Sequence, residues 1–202
     1  MKKSLNNLPN KVRNWKEHPK DTEWGVVDWE GEFLKNNSHL IPQGEKGCCM
    51  YSNSFFLGRT NNYLVHLFSV YPLKLTSLDF PLNFWNQQGI KQCDALIFPT
   101  SDQKGDALLF IETKYSIKTH AWKNYKKHAL EQITETISQL SNMGCPIAQR
   151  KLYGLISCPL LDPMGASVFS PEKLMKIYMD YKLEVHMGNS ATFQDAQNIS
   201  FI

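Results

Sequence analysis

Several signatures that would declare a function are missing from this chain. No Cys-x-x-Cys pair and no His-Glu-x-x-His motif occurs in its 202 residues, which argues against a structural zinc. No apolar run is long enough to cross a bilayer. The basic start, "MKKSLNNLPNKVRNW", has no apolar stretch behind it, so no signal peptide is expected. The five cysteines (Cys48, Cys49, Cys93, Cys145 and Cys158) are odd in number and lack framework spacing. Reduced thiols and a cytoplasmic location are therefore expected, with no membrane partner. A net charge of only +3 excludes a histone-like binder but leaves room for a local basic patch. There is no internal repeat and no low-complexity tract. The length suits one domain with a sizeable core, read as residues 26–202, preceded by a polar arm over residues 1–25 that contains Pro9 and Pro19.

What is present concentrates in "CDALIFPTSDQKGDALLFIETKYS", Cys93 to Ser116. "ALIF" and "ALLFI" are short, apolar and bounded by turn residues, which suits buried strands better than helices. "PTSDQKG" between them has turn composition. A hairpin symmetric about Gln103 sets Asp94 opposite Glu112, with Cβ atoms roughly 5 Å apart. Glu112 and Lys114 are two apart on one strand and share a side, while Thr113 points the other way. Two carboxylates so close repel unless a cation lies between them. Lys114 is one candidate. A divalent ion is the other, and hard oxygen ligands suit magnesium or manganese. The plain alternative is an ordinary ion pair at a sheet edge. Placement at the ends of two adjacent apolar strands favours the functional reading. Cys93 reads as a small buried residue rather than a nucleophile.

Downstream, Trp122, Tyr125, Ala129, Ile133, Ile137 and Leu140 recur every three or four residues, predicting a helix over about 122–140 that Gly144 and Pro146 end. Trp122 and Tyr125 sit on its apolar face, so core packing is favoured over stacking on bases. "KLYGLIS" reads as another strand. Between Thr113 and Leu130 there are five lysines, two histidines and no acid. Lys118, Lys123, Lys126 and Lys127 make a basic strip beside the acids. Lysines in a first turn oppose the helix dipole. Such a strip suits a phosphodiester backbone, though a solvated helix face would look the same. "SPEKLMKIYMDYKLEV" predicts a helix capped by Ser170, with Pro171 at its first position and Leu174, Ile177, Tyr178 and Tyr181 as the buried stripe. The tail, with Phe193, Ile199 and Phe201, is expected to end as a strand, and covering the sheet of its own chain is favoured over binding a partner subunit. Upstream, "VVDWEGEFLKN" reads as a short helix. "GCCMYSNSFFLG" and "YLVHLFSVY" are apolar segments whose pairing periodicity leaves open.

"CDALIF", a loop and "LLFIETK" together resemble the Asp…Glu-x-Lys core of the PD-(D/E)xK, restriction-endonuclease-like nuclease superfamily. The resemblance covers roughly Lys91 to Leu140 and extends more loosely to Ser157. It implies an α/β fold, a mixed β-sheet flanked by helices in an α-β-β-β-α-β order, here with an N-terminal extension. It implies Asp94 and Glu112 as metal ligands, joined by the Thr113 carbonyl, and Lys114 as the catalytic lysine. The implied cofactor is Mg2+ or Mn2+, and the implied substrate is nucleic acid, with DNA favoured. A role in bacterial restriction or phage defence, with a protein partner or homodimer, follows from the same resemblance. On this reading "YLVHLFSVY" is either one arm of a hairpin or the family's first helix, capped by Thr60. Many members carry a further Glu on that helix. Between Lys46 and Cys93 the only acid is Asp79, and Glu30, Glu32 and Glu45 fit no family pattern, so no fourth ligand is assigned. Two other functions compete: a nuclease-fold subunit that binds without cutting, and an unrelated α/β interaction protein.

Overall fold

The computed structural model describes residues 1–5, 15–31, 34, 36–41, 43–52, 63–81, 84–85, 89–115, 122–160 and 169–201. The chain is a mixed α/β protein built on two mixed sheets. A six-stranded sheet runs in the order β1 (Trp15–Glu17), β5 (Leu75–Asp79), β6 (Ala95–Pro99), β7 (Ala107–Thr113), β8 (Lys151–Ser157), β9 (Leu183–Met187). The first four strands pair antiparallel, and β7–β8–β9 are parallel. A five-stranded sheet runs β11 (Ile199–Phe201), β10 (Ser190–Phe193), β4 (Val65–Leu73), β2 (Asp21–Asp28), β3 (Cys48–Ser52). Helices among the described residues include a short α1 (Lys2–Leu5), a long α2 (Trp122–Asn142) and α3 (Pro171–Tyr181). No helix among the described residues is long and apolar enough to cross a membrane.

Alternation along the central strands explains the layering. In β6 and β7, Leu96, Phe98, Leu108 and Phe110 face Ala129, Ile133, Ile137 and Leu140 of α2. Ala95, Ile97, Ala107, Leu109 and Ile111 face Trp24, Val26, Val65, Leu67 and Phe193 of the second sheet. Both faces are dry, so these strands read as continuous apolar runs. The expected sheet flanked by helices is thus covered by helices on one face and by a second sheet on the other.

Other expectations are corrected. "YLVHLFSVY" is strand from Val65 onward, not a helix, and it does not form a hairpin with β3, because β2 lies between the two. Thr60 lies outside the described residues. "VVD" closes β2 rather than opening a helix, while Leu34 and Asn36 further along the same stretch are helical. The lead-in is not simply irregular: β1 edges the large sheet, and Asp21–Gly25 already belongs to β2. The α3 cap is as predicted, with Ser170 Oγ accepting from the Lys173 N–H at 3.3 Å. Its expected buried stripe is not. Ile177 is buried and Tyr181 packs half-buried against the core, whereas Leu174 and Tyr178 are exposed along with Met175 and Met179. The tail covers the sheet from its own chain, with Phe193 and Ile199 in the core between the two sheets.

Candidate active site at the open end of the central hairpin

The hairpin register is the one the sequence offsets predict: Ala95 pairs with Ile111, Leu96 with Phe110 and Ile97 with Leu109. One step further, the ladder hands over to a side chain. The Asp94 N–H donates to the Ile111 carbonyl at 3.0 Å, and the Thr113 N–H donates to Asp94 Oδ2 at 2.6 Å. The Asp94 carboxylate is thereby folded onto the segment that carries Glu112 and Lys114. Glu112 follows Leu108 and Phe110 in alternation and is fully buried, with 0% of its surface exposed. Lys114 shares its face, and its ammonium pairs with Glu112 Oε1. Glu112 Oε2 has no hydrogen-bond partner among the described residues. Thr113 projects to the opposite side, with its Oγ1 also buried and unbonded.

Burial dominates the electrostatics. It pushes the Glu112 carboxyl up to about 7, with Lys114 working against it and the Asp28 charge adding to it. Burial, then the charges of Glu112 and Asp28, raises Asp94 well above the carboxylate range, while Lys114 and the Thr113 N–H oppose. For Lys114, burial pulls downward, but Glu112 and Asp94 outweigh it and hold the ammonium above the usual lysine range. Three ionisable groups are therefore coupled in one place, as the sequence spacing implies.

Acids that sequence reasoning left unassigned join them. Asp28 ends β2 and lines a cleft of about 750 Å3 together with Thr113, Lys114, Tyr115 and, from α2, Tyr125, His128 and Gln132. It also lines a smaller cavity of about 180 Å3 shared with Glu30, Asp79 and Asp94. Asp79 Oδ1 accepts the Cys48 N–H at 3.0 Å. Burial pushes Asp79 up to about 6; the Cys48 N–H opposes this, and Asp28 and Glu30 add to it. Gly47 at φ +65° makes that contact possible, since a Cβ there would stand 2.5 Å from Asp79 Oδ2. The signal for Asp28 was available: "WGVVD" is an apolar run closed by an acid, as "LLFIE" is. Reading "VVDWEGEFLKN" as a helix hid it.

The lysine strip is only partly within the described residues. Lys118 and the side chains of Trp122 and Lys123 lie outside them. Lys127 is exposed, and the Lys126 ammonium lies 5.8 Å from the centre of the Phe169 ring. Neither is among the residues that line the cleft. Lys91 does line it, and pairs with Glu131 at 2.5 Å. Tyr125 is half-buried on the cleft wall rather than in the core. Cys93 is fully buried, and burial lifts its thiol well above the usual range, which suits a packing role.

Hard oxygens from Asp94, Glu112 and the Thr113 backbone are chemically suited to magnesium or manganese, and the buried, unbonded Glu112 Oε2 is the atom a cation would satisfy. Among the described residues, no three His, Cys, Asp or Glu side chains stand in an arrangement that would hold a metal. Any ion here would be held by two carboxylates, backbone and water. Compared with models of protein families, with curated proteins and with solved structures, the chain matches none.

Proposed function

We propose that this protein is a divalent-cation-dependent nuclease that hydrolyses phosphodiester bonds of nucleic acid, DNA favoured, with a PD-(D/E)xK, restriction-endonuclease-like core. The observation that carries the reading is Glu112: a carboxylate with no exposed surface, one oxygen unbonded, beside a second raised carboxylate, Asp94, that lines the 180 Å3 cavity. Burying a carboxylate that has a partner on one oxygen alone destabilises a fold, and this arrangement is typical of functional sites. The strand order supports it. Antiparallel β5, β6 and β7 are followed by α2 and a parallel β8, with Asp94 just before the second strand and Glu112-Thr113-Lys114 closing the third.

In this mechanism Asp94, Glu112 and the Thr113 carbonyl hold Mg2+ or Mn2+. The ion, when bound, supplies Lewis-acid activation of the scissile phosphate and of the attacking water. Lys114, kept cationic by its acidic neighbours, meets the negative charge that develops on the phosphoryl oxygens in the transition state. The cleft gives the strand a place to lie, with Lys91 and His128 near its wall. Lys118, Lys123, Lys126 and Lys127 add phosphate contacts beyond it. Bacterial restriction or phage defence, alone or with a partner, is the setting the resemblance suggests.

Plasmid DNA and RNA incubated with the protein plus magnesium, manganese or EDTA test the proposal. Cleavage with either metal and none in EDTA is expected. No cleavage of either nucleic acid with any metal overturns it. One observation favours a second reading, a nuclease-fold subunit that binds without cutting: Lys114 already neutralises Glu112 Oε1. Nucleic-acid binding without cleavage would select it.

A further inference from the structure

We infer that the 750 Å3 cleft at the end of β7 takes one unpaired nucleotide, its base turned toward Asp28 and Glu30 and its phosphate toward Lys114, so that single-stranded nucleic acid is the preferred substrate. The inference rests on the nuclease reading above and names the form of substrate that reading acts on.

The first support is that the cleft divides its charge between two walls. The large sheet has α2 on one face and the second sheet on the other, and each layer lends the cleft one wall. The end of β2 and the turn after it bring the carboxylates of Asp28 and Glu30. From the opposite layer α2 brings Tyr125 and His128. Lys91 joins them, tied to α2 through Glu131 at 2.5 Å, and His128 Nδ1 lies 3.5 Å from the same carboxylate. Lys114 enters from the strand end between the layers. A duplex suits this division poorly. Its phosphates lie outermost and its bases show only their edges in the grooves, so the acid wall would face phosphate. An unpaired nucleotide has two unlike ends. Cytosine and adenine carry an amino donor that a carboxylate accepts, whereas thymine presents a carbonyl there. The phosphate seeks the cations. Its polarity is the polarity of the cleft.

The second support is Tyr125, half-buried on the cleft wall, where a held aromatic ring offers a base a stacking platform. The third is that the acid wall is fixed before anything binds. Tyr115, the residue after Lys114, accepts the Asp28 N–H on its hydroxyl at 3.0 Å and donates that hydroxyl to the Tyr63 carbonyl at 3.1 Å. Gly31 packs so closely on the Tyr115 ring that a Cβ would lie 2.5 Å from Cδ2. A cleft set in this way loses little freedom when it is filled. The competing role of Asp28 is local: its Oδ1 accepts the Glu30 N–H at 2.9 Å and shapes the turn after β2. A carboxylate offers about four acceptor sites, so the turn and a base can share it. Glu30→Ala leaves that turn bond in place, because Glu30 contributes only its backbone N–H to it.

Fluorescence anisotropy with labelled oligo-dC, oligo-dT, a mixed-sequence single strand and its duplex tests this on the full chain in EDTA, with cleavage of the same probes followed in Mn2+. Wild type should bind the single strand about 10- to 100-fold more tightly than the duplex, which must first unstack a nucleotide. It should hold oligo-dC about 5-fold or more tightly over oligo-dT, and Glu30→Ala should narrow that margin. Tyr125→Ala should weaken single-strand binding about 5- to 150-fold, and Tyr125→Phe, which keeps the ring, should match wild type. Duplex bound as tightly as single strand, or Tyr125→Ala indistinguishable from wild type, overturns the inference. Equal binding of oligo-dC and oligo-dT, or a margin that survives Glu30→Ala intact, removes the base from the acid wall and overturns it as well. Cleavage of duplex and single strand at equal rates sinks the inference and leaves the nuclease reading standing. Selective single-strand binding without cleavage in Mn2+ does the reverse.

Discussion

The β6–β7 hairpin carries acids at both ends, and the two ends treat them in opposite ways. At the turn, Asp106 is almost wholly buried, yet it accepts from Ser101 Oγ at 2.8 Å and from the Gln103 N–H at 2.7 Å. Asp102 beside it accepts from Arg150 Nη2 at 2.6 Å and from the Lys2 N–H at 2.8 Å. Burial pushes Asp102 upward, but the amino group of Met1, the Lys2 N–H and Arg150 outweigh it and hold its carboxyl below the usual range. At the open end, Glu112 has one cationic neighbour and an unbonded oxygen. Asp94 has one backbone donor, and each acid raises the energy of the next. The same residue types are hydrogen-bonded and paired at the turn, whereas at the open end burial leaves them with fewer partners and raised carboxyls.

Substitution at each end puts the contrast under the greatest strain. Glu112→Gln should abolish metal-dependent cleavage while stabilising the metal-free protein, because it removes a buried charge with too few partners. Cleavage at the wild-type rate would place the chemistry elsewhere. Lys114→Ala should cut slower by on the order of 100- to 1,000-fold, as expected when one group that stabilises the transition state is removed. It should still bind Mn2+, as tightly as wild type or more so, because the competing ammonium is gone from Glu112. Calorimetry set beside a cleavage assay separates these two variants.

At the turn end the signs reverse. Asp106→Ala should cost about 1–3 kcal/mol of stability by removing the two hydrogen bonds its carboxylate accepts, measured by urea unfolding. Its cleavage per folded molecule should stay at the wild-type level.

A pH titration probes the same difference between the two ends. Glu112 has its carboxyl raised from 4.5 to about 7 in the folded chain. The folded state then holds the proton that the unfolded state releases. Its contribution to stability is full below about pH 4.5 and is lost as pH rises through about 7. His18, whose burial lowers its imidazole to about 4, acts in the opposite direction. Comparing wild type with Glu112→Gln in EDTA isolates the acid. The melting-temperature advantage of the variant should widen from pH 5 toward pH 8, and a constant difference would contradict the burial argument. The smallest effect is expected from the strip on α2. Lys123, Lys126 and Lys127 changed together to Ala should weaken DNA binding and reduce the salt slope by about 0.9 for each phosphate no longer neutralised. An unchanged slope would mark the strip as a solvated face.

Local features were legible because they depend on neighbours in the chain. The hairpin register follows from the position of a turn, the α2 core face from a 3.6-residue period, and the α3 start from Ser170 and Pro171. The α3 stripe failed for a complementary reason. Amphipathic spacing says which residues share a face but not whether anything covers it, and Leu174 and Tyr178 of that stripe are 36% and 43% exposed.

That Asp94, Glu112 and Lys114 meet follows from the order of residues alone, because one turn and a period of two residues suffice to bring them together. That "YLVHLFSVY" is a strand depends on the folded neighbours. A short apolar run satisfies both periods, and it takes β2 and β10 on either side to supply the hydrogen bonds that make one of them stable. The arrival of Asp28 at the same place is likewise a product of the tertiary fold, because its partner there, Tyr115, lies far along the chain and no local pattern encodes such a meeting.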